Sequence, residues 1–284
     1  MDTYLIASKN NNITDKECEE FLNDYLKILK YKKLLVIWQI YYETINQLKN
    51  FGKNVSSEFL ISEMNLKKYA LANIYICNSL NAFYMFEQYC EHNFTCFKEK
   101  IKQRIYDNNF SYRLIYNLRT YSTHCEIPIT KIKKYIKYND FSEINLEFLV
   151  SKNEFCEAKG LQPKVQKEVS EIIREDDIQI LNYFKEVELI LLKVITDIIL
   201  HNKIRIINVY EKASKYIFGK PYKAASYFCR KGITNLCVIP NLKFFYYSLM
   251  EVLLENEYCK QYIDETRENI EKLCVKIKNI MNFR

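Results

Sequence analysis

The sequence predicts a mostly α-helical protein: a helical bundle with a small β-hairpin insertion and additional C-terminal helices. Three observations carry this. Gly and Pro number only 4 each in 284 residues, and an all-β chain needs one or the other at most tight turns. Apolar residues make up 49% and charged residues 27%, which supplies a core and is too apolar for a disordered chain. Over most of the length the apolar residues recur at helical spacing, and over one short region they alternate. At roughly 150 residues per domain, the length allows one large or two modest domains.

Thr14-Asp15-Lys16-Glu17 is a capping-box pattern and marks the first helix start. Apolar residues at helical spacing follow, from Phe21 and Tyr25 through Leu34 to Ile45 and Leu48, up to Phe51-Gly52. This is one long helix or two joined near Lys30 to Lys33. A second helix runs from about Ser57 or Asn65 to Phe94, a third from Phe97 to about Tyr106, and Asp107-Asn108-Asn109 makes a turn. A fourth begins near Phe110 and ends near His124. After Pro128 the period changes. Ile144, Leu146, Phe148 and Val150 alternate along the chain, Ile132, Tyr135 and Ile136 precede them, and Asn139-Asp140 lies between. Residues 129–152 are therefore expected to form a hairpin or ribbon. Helix resumes near Val165, breaks near Glu175-Asp176-Asp177 (expected to mark a helix start), and continues to Phe218, where Gly219-Lys220-Pro221 is a C-terminal stop. Residues 222–282 read as two or three helices split around Pro240.

The net charge of +7 allows an anionic partner such as RNA. The 10 cysteines are scattered singly through apolar segments, as at Cys77, Cys90, Cys237 and Cys274, with no C-x-x-C pair. That pattern fits reduced core thiols in an intracellular, cytoplasmic protein. The N-terminus lacks the basic start and apolar stretch of a secretory signal. The most apolar run, Val187 to Leu200, is interrupted by Glu188, Lys193 and Asp197, so no membrane span is expected. There is no Gly-rich phosphate loop, no G-x-S-x-G, no H-E-x-x-H and no pair of carboxylates beside a histidine. No metal site and no cofactor are expected.

Imidazole is the side chain best suited to move protons near neutral pH, and there are only three: His92, His124 and His201. His92 has Cys90 and Cys96 nearby but lacks metal-ligand spacing. His201 follows an apolar run and reads as a helix end. His124 has distinctive neighbours. On a helix, Leu114, Ile115, Leu118 and Tyr121 share one side, while Arg113, Tyr116, Asn117, Arg119, Thr120, Thr123 and His124 gather on the other. Arg119 and His124 then stand about 140° apart and about 7.5 Å along the axis, within reach of one ligand over that face. An imidazole can take the proton of a ribose 2′-hydroxyl, and a guanidinium can neutralise charge developing on the phosphate. The nucleophile already belongs to the RNA. Thr120, Ser122 and Thr123 offer hydroxyls to orient the phosphate or the imidazole.

The segment Arg119-Thr120-Tyr121-Ser122-Thr123-His124 resembles the R-x4-6-H motif of HEPN-domain ribonucleases. Leu118-Arg119-x-Tyr121-x-x-His124, followed by Ile127-Pro128-Ile129, is similar to the form of that motif in bacterial defence proteins. The resemblance covers about residues 65–128. It implies a HEPN-type bundle, placed at residues 1–128; the residue pattern itself gives 129–160 as hairpin and loop and 161–284 as a C-terminal helical region. The resemblance also implies a metal-independent endoribonuclease that acts as a toxin or abortive-infection effector. Arg119 and His124 would be its catalytic pair, joined in a homodimer with a composite site. An antitoxin or regulatory partner is a further implication. The chain departs from the motif at Thr120, where the family usually has Asn, Asp or His. Site support falls to Thr120, Thr123, Tyr116 and Asn117, and RNA contacts to Arg113, Arg104, Lys131 and Lys133. A non-catalytic helical interaction or regulatory protein, and a HEPN-like domain that binds RNA without cutting it, are the alternatives.

Overall fold

Low Gly and Pro content leaves long stretches free to stay helical, and helix dominates the chain. A computed structural model describes residues 15–58, 66–124, 126–136, 144–214, 235–255 and 264–281. In order these form α1 (Asp15–Glu58), α2 (Leu66–Asn93), α3 (Lys102–Asn108), α4 (Phe110–His124), β1 (Lys131–Ile136), β2 (Ile144–Ser151), α5 (Lys152–Glu157), α6 (Pro163–Ile172), β3 (Asp177–Gln179), α7 (Ile180–His201), α8 (Lys203–Ala213), α9 (Asn235–Met250) and α10 (Asp264–Met281). Single π-helical turns, Phe97–Ile101 and Glu251–Glu255, precede α3 and follow α9. Among the described residues, no helix is long and apolar enough to cross a membrane.

The mostly helical class and the hairpin stand, while several boundaries move. The first helix is continuous through Lys30 to Lys33 and does not end at Phe51-Gly52 but runs on to Glu58. One glycine costs a helix about 1 kcal/mol, too little to end it by itself. Of the two starts expected for the second helix, the later agrees with Leu66. The fourth helix spans Phe110–His124, as expected. Asp177 opens a strand, and the helix starts only at Ile180. Pro240 lies inside α9. Its fixed φ is compatible with a helix, though past the first turn it removes one ladder hydrogen bond and crowds the carbonyl four residues earlier. Thr14, Asn139-Asp140 and Gly219-Lys220-Pro221 lie outside the described residues.

One compact unit consists of residues 37–191 and the other of 1–36 with 192–284, so the boundary falls within α1 and α7. The hairpin and α6 belong with α2 and α4. β1 and β2 pair antiparallel with Ile132 opposite Phe148, and β2 pairs antiparallel with β3 with Val150 opposite Ile178. Phe148, Val150 and Ile178 are fully buried on one face, as strand alternation requires. Ser151 ends β2 and caps α5 by accepting from the Glu154 N–H at 3.3 Å. Pro163 opens α6, where its missing N–H is harmless. In the unit of residues 1–36 and 192–284, Phe21, Tyr25 and Ile28 form the inner stripe of α1. There Tyr210 Oη donates to the Leu242 carbonyl at 2.8 Å, joining α8 to α9.

The α2–α4 pair positions the candidate site. Tyr112 meets Glu87, and Asn73 meets Ile129 just beyond α4. Contacts in opposite chain order make the two helices antiparallel. Leu114, Ile115, Leu118 and Tyr121 are fully buried on the inner stripe of α4, as the helical period predicts.

Candidate functional site

The far end of α4 is fixed by hydrogen bonds to α2. Asn73 Oδ1 accepts from the Ile129 N–H at 2.9 Å, and the Tyr69 hydroxyl donates to the Ile129 carbonyl. Pro128 and Ile129 are buried, whereas Ile127 is exposed. The Glu126 N–H returns to the Tyr121 carbonyl at 3.2 Å and closes the helix end. The Ile127-Pro128-Ile129 segment is therefore the clamp that holds the last turn of α4 in place.

On that turn His124 is exposed and Arg119 is half-buried. The Arg119 guanidinium carbon lies 3.9 Å from the ring centroid of Tyr84 on α2. Such a cation–π contact contributes about 0.5–1 kcal/mol at exposed sites and about 2 when desolvated. Among the described residues, Arg119 Nε is enclosed without a hydrogen-bond partner and no carboxylate pairs with the side chain. Its charge is therefore held by an aromatic face and is not neutralised.

Thr120 and Thr123 flank the pair, with hydroxyls turned back onto the helix. Thr120 Oγ1 donates to the Tyr116 carbonyl at 3.5 Å, and Thr123 Oγ1 lies 3.1 Å from both the Arg119 and the Thr120 carbonyls. Each hydroxyl still has lone pairs to accept with. Tyr116 is half-buried, with its ring edge-on to Tyr106 at 6.0 Å. Burial raises the pKa of its hydroxyl and Glu87 adds to this, while Lys102 and Arg119 pull the other way.

Two residues expected at the site are not part of it. Arg113 is only 6% exposed. Its Nε and Nη2 meet Glu168 of α6 at 2.8 and 3.0 Å, and Nη1 donates to the Asp107 carbonyl at 2.7 Å and to the Tyr106 carbonyl. A buried cation needs such partners, so Arg113 joins α4 to α6 and to the end of α3 and is not an RNA contact. Asn117 is 2% exposed. Its Oδ1 accepts from the Gln162 N–H at 3.0 Å and its Nδ2 donates to the Arg113 carbonyl at 2.9 Å, which makes it a tether for the loop before α6. In that loop Gly160 has φ +89°, a conformation side chains disfavour.

Arg104 is exposed on α3. Lys131 and Lys133 are exposed on β1 and share the Asp177 carboxylate at 3.2 and 3.1 Å. Of the other histidines, His92 is exposed with Nδ1 2.7 Å from the Gln88 carbonyl, and His201 is exposed at the end of α7. Among the described residues, no group of three or more His, Cys, Asp or Glu could hold a metal ion.

Sequence reasoning missed Tyr84 on α2, which meets Arg119, and the buried pairing of Glu87 on α2 with Lys102 on α3. Glu87 is fully buried. Its Oε1 accepts from the Tyr112 hydroxyl at 3.0 Å and lies 3.5 Å from Lys102 Nζ, while Oε2 has no partner among the described residues. Lys102 also donates to Glu91 at 2.9 Å. Burial raises the Glu87 pKa, and Lys102 and Tyr112 offset part of that rise. One signal was available: from Tyr69 to Phe86 the chain carries no Asp, Glu, Lys or Arg, and Glu87 ends that run. The Tyr84–Arg119 contact left none, because it joins residues far apart in the chain. No protein-family model, curated protein or solved structure matches the chain.

Proposed function

We propose that this chain is a metal-independent endoribonuclease of the HEPN type, acting as a toxin or abortive-infection effector in defence against phage. The observation that carries the reading is an arginine that has no carboxylate partner among the described residues, followed on the same helix by an exposed imidazole. An unneutralised guanidinium attracts a phosphate and presents paired N–H donors to its oxygens. In the proposed reaction His124 accepts the proton of a ribose 2′-hydroxyl, and the 2′-oxygen forms a bond to the adjacent phosphorus. The bond from phosphorus to the 5′-oxygen breaks, leaving a 2′,3′-cyclic phosphate and a 5′-hydroxyl. Arg119 stabilises the charge gathering on the phosphoryl oxygens.

Protonation of the departing 5′-oxygen calls for a second acid, which His124 of a second copy would supply in a homodimer. The exposed face of α2 supports that arrangement. Ala70, Ile74, Asn78, Asn81 and Met85 are exposed along it, without a charge. Two copies of a chain with net charge +7 meet at least cost on an uncharged face.

The test is RNA cleavage by the wild type beside Arg119→Ala and His124→Ala. Each substitution is expected to lower the cleavage rate by about 10²–10³-fold. Cleavage should persist in chelator and give cyclic-phosphate ends, and growth arrest on expression should be relieved by His124→Ala. Full cleavage by the double variant, or RNA binding without cleavage by the wild type, would overturn the reading.

A further inference from the structure

We infer that Tyr84 is a positioning residue for Arg119 in RNA cleavage, an assignment that rests on the nuclease reading above: its ring orients the guanidinium while leaving the positive charge available to phosphate.

An arginine that stabilises a phosphate must be held in place yet remain cationic toward its ligand. A carboxylate partner would hold it and neutralise it together, as Glu168 does for Arg113. An aromatic face holds the guanidinium plane without cancelling its charge. The Tyr84 ring takes this part, at 3.9 Å. Nε is enclosed and has no partner among the described residues, so the Nη edge is the part left for phosphate oxygens, and that edge suits two-pronged binding.

The surroundings support the assignment in two ways. Tyr84 is bracketed on α2 by contacts that fix α2 against α4, namely Asn73 with Ile129 on one side and Glu87 with Tyr112 on the other. The ring therefore has a set position relative to the Arg119 backbone. Glu87, the acid nearest to Tyr84 along α2, is engaged by the Tyr112 hydroxyl and by Lys102 and does not pair with the guanidinium.

The experiment compares Tyr84→Phe and Tyr84→Leu, each with Arg119 intact and with Arg119→Lys, in steady-state cleavage of a defined single-stranded RNA. Tyr84→Leu should lower kcat about tenfold with KM held within about twofold. Tyr84→Phe, which keeps the ring face, should retain wild-type kcat. In the Arg119→Lys background, Tyr84→Leu should cause no further loss. A second readout does not depend on activity: the Arg119 Nε–Hε resonance, shifted by the ring current of Tyr84, should move in Tyr84→Leu and stay in Tyr84→Phe. Wild-type kcat in Tyr84→Leu, equal losses in both variants, or the same loss in the lysine background would each overturn the assignment. An Arg119 resonance unmoved by Tyr84→Leu would overturn it whatever the activity. A wild type that cleaves no RNA would instead remove the nuclease reading, and with it the reaction that Tyr84 is assigned to serve.

Discussion

Arg113 and Arg119 lie on the same helix, roughly two turns apart, in opposite circumstances. Arg113 is buried, faces the Glu168 carboxylate and bonds the carbonyls at the end of α3. Arg119 is half-buried against a tyrosine ring and has no carboxylate partner among the described residues. A step of six residues turns the helix by about 240°, which sends one arginine toward α6 and the other toward α2. What reads in sequence as one polar face is therefore two, one closed by a neighbouring helix and one left open. The difference separates a cation that holds the fold together from one that is available to a ligand.

The sharpest way to break this contrast is to delete each arginine in turn and measure urea midpoints. Arg113→Ala leaves Glu168 facing an empty site and two carbonyls without donors, and it should cost about 3 kcal/mol. Glu168 keeps some solvent access, which holds the loss at the lower end of the range for buried pairs. Arg119→Ala should cost less than about 1 kcal/mol, since only a partly exposed ring contact is lost. Equal losses would remove the distinction, and a larger loss for Arg119→Ala would reverse it.

The same contrast shows how far the sequence could be read. Helical periodicity placed α4 at Phe110–His124 and its inner stripe at Leu114, Ile115, Leu118 and Tyr121, because core burial imposes its period on the chain. The alternation after Pro128 revealed β1 and β2 for the same reason. β3 escaped, because three residues are too short to show a period. Arg119 and His124 were legible as a spaced pair. Arg113 and Asn117 were placed with them because periodicity gives the angle around a helix axis and not the neighbour found there. Glu168 and Gln162, which close that side, lie far along the chain. Tyr84 was hidden by the same distance. In each case the missing information was tertiary.

Glu87 sharpens the comparison from the α2 side, since it is the carboxylate that does not meet Arg119. Its pKa is raised, with burial the main cause. The folded state thus binds a proton at a pH where the unfolded chain has released it. The stability this proton supplies is complete below the ordinary carboxylate range and is lost as pH rises through the raised folded value. Glu188, also raised by burial and partly compensated by Lys49, acts in the same direction. Glu87→Gln keeps an acceptor for Tyr112 and leaves Lys102 with Glu91. The melting temperature of Glu87→Gln relative to wild type should therefore be higher at pH 8 than at pH 4, with part of the pH dependence remaining through Glu188. A difference that is constant across this range would mean that the Glu87 pKa is the same in the folded and unfolded chain.

The smallest expected effects fall on Lys131 and Lys133, where neutralisation is shared and exposed. Both ammonium groups reach one carboxylate, Asp177, so either lysine can stand in for the other. Burial works to raise the Asp177 pKa, but the hydrogen bonds from Lys133 and Lys131 outweigh it and hold the carboxyl below its usual range. Each single alanine substitution should cost less than about 0.5 kcal/mol, because exposed pairs contribute little and one partner remains. The double variant leaves Asp177 without either cation and should cost more than the two single losses added together. Additive losses would show that the lysines hold Asp177 independently. They would then resemble Arg113, each pair contributing by itself, and would no longer act as one cation in excess over the carboxylate they share.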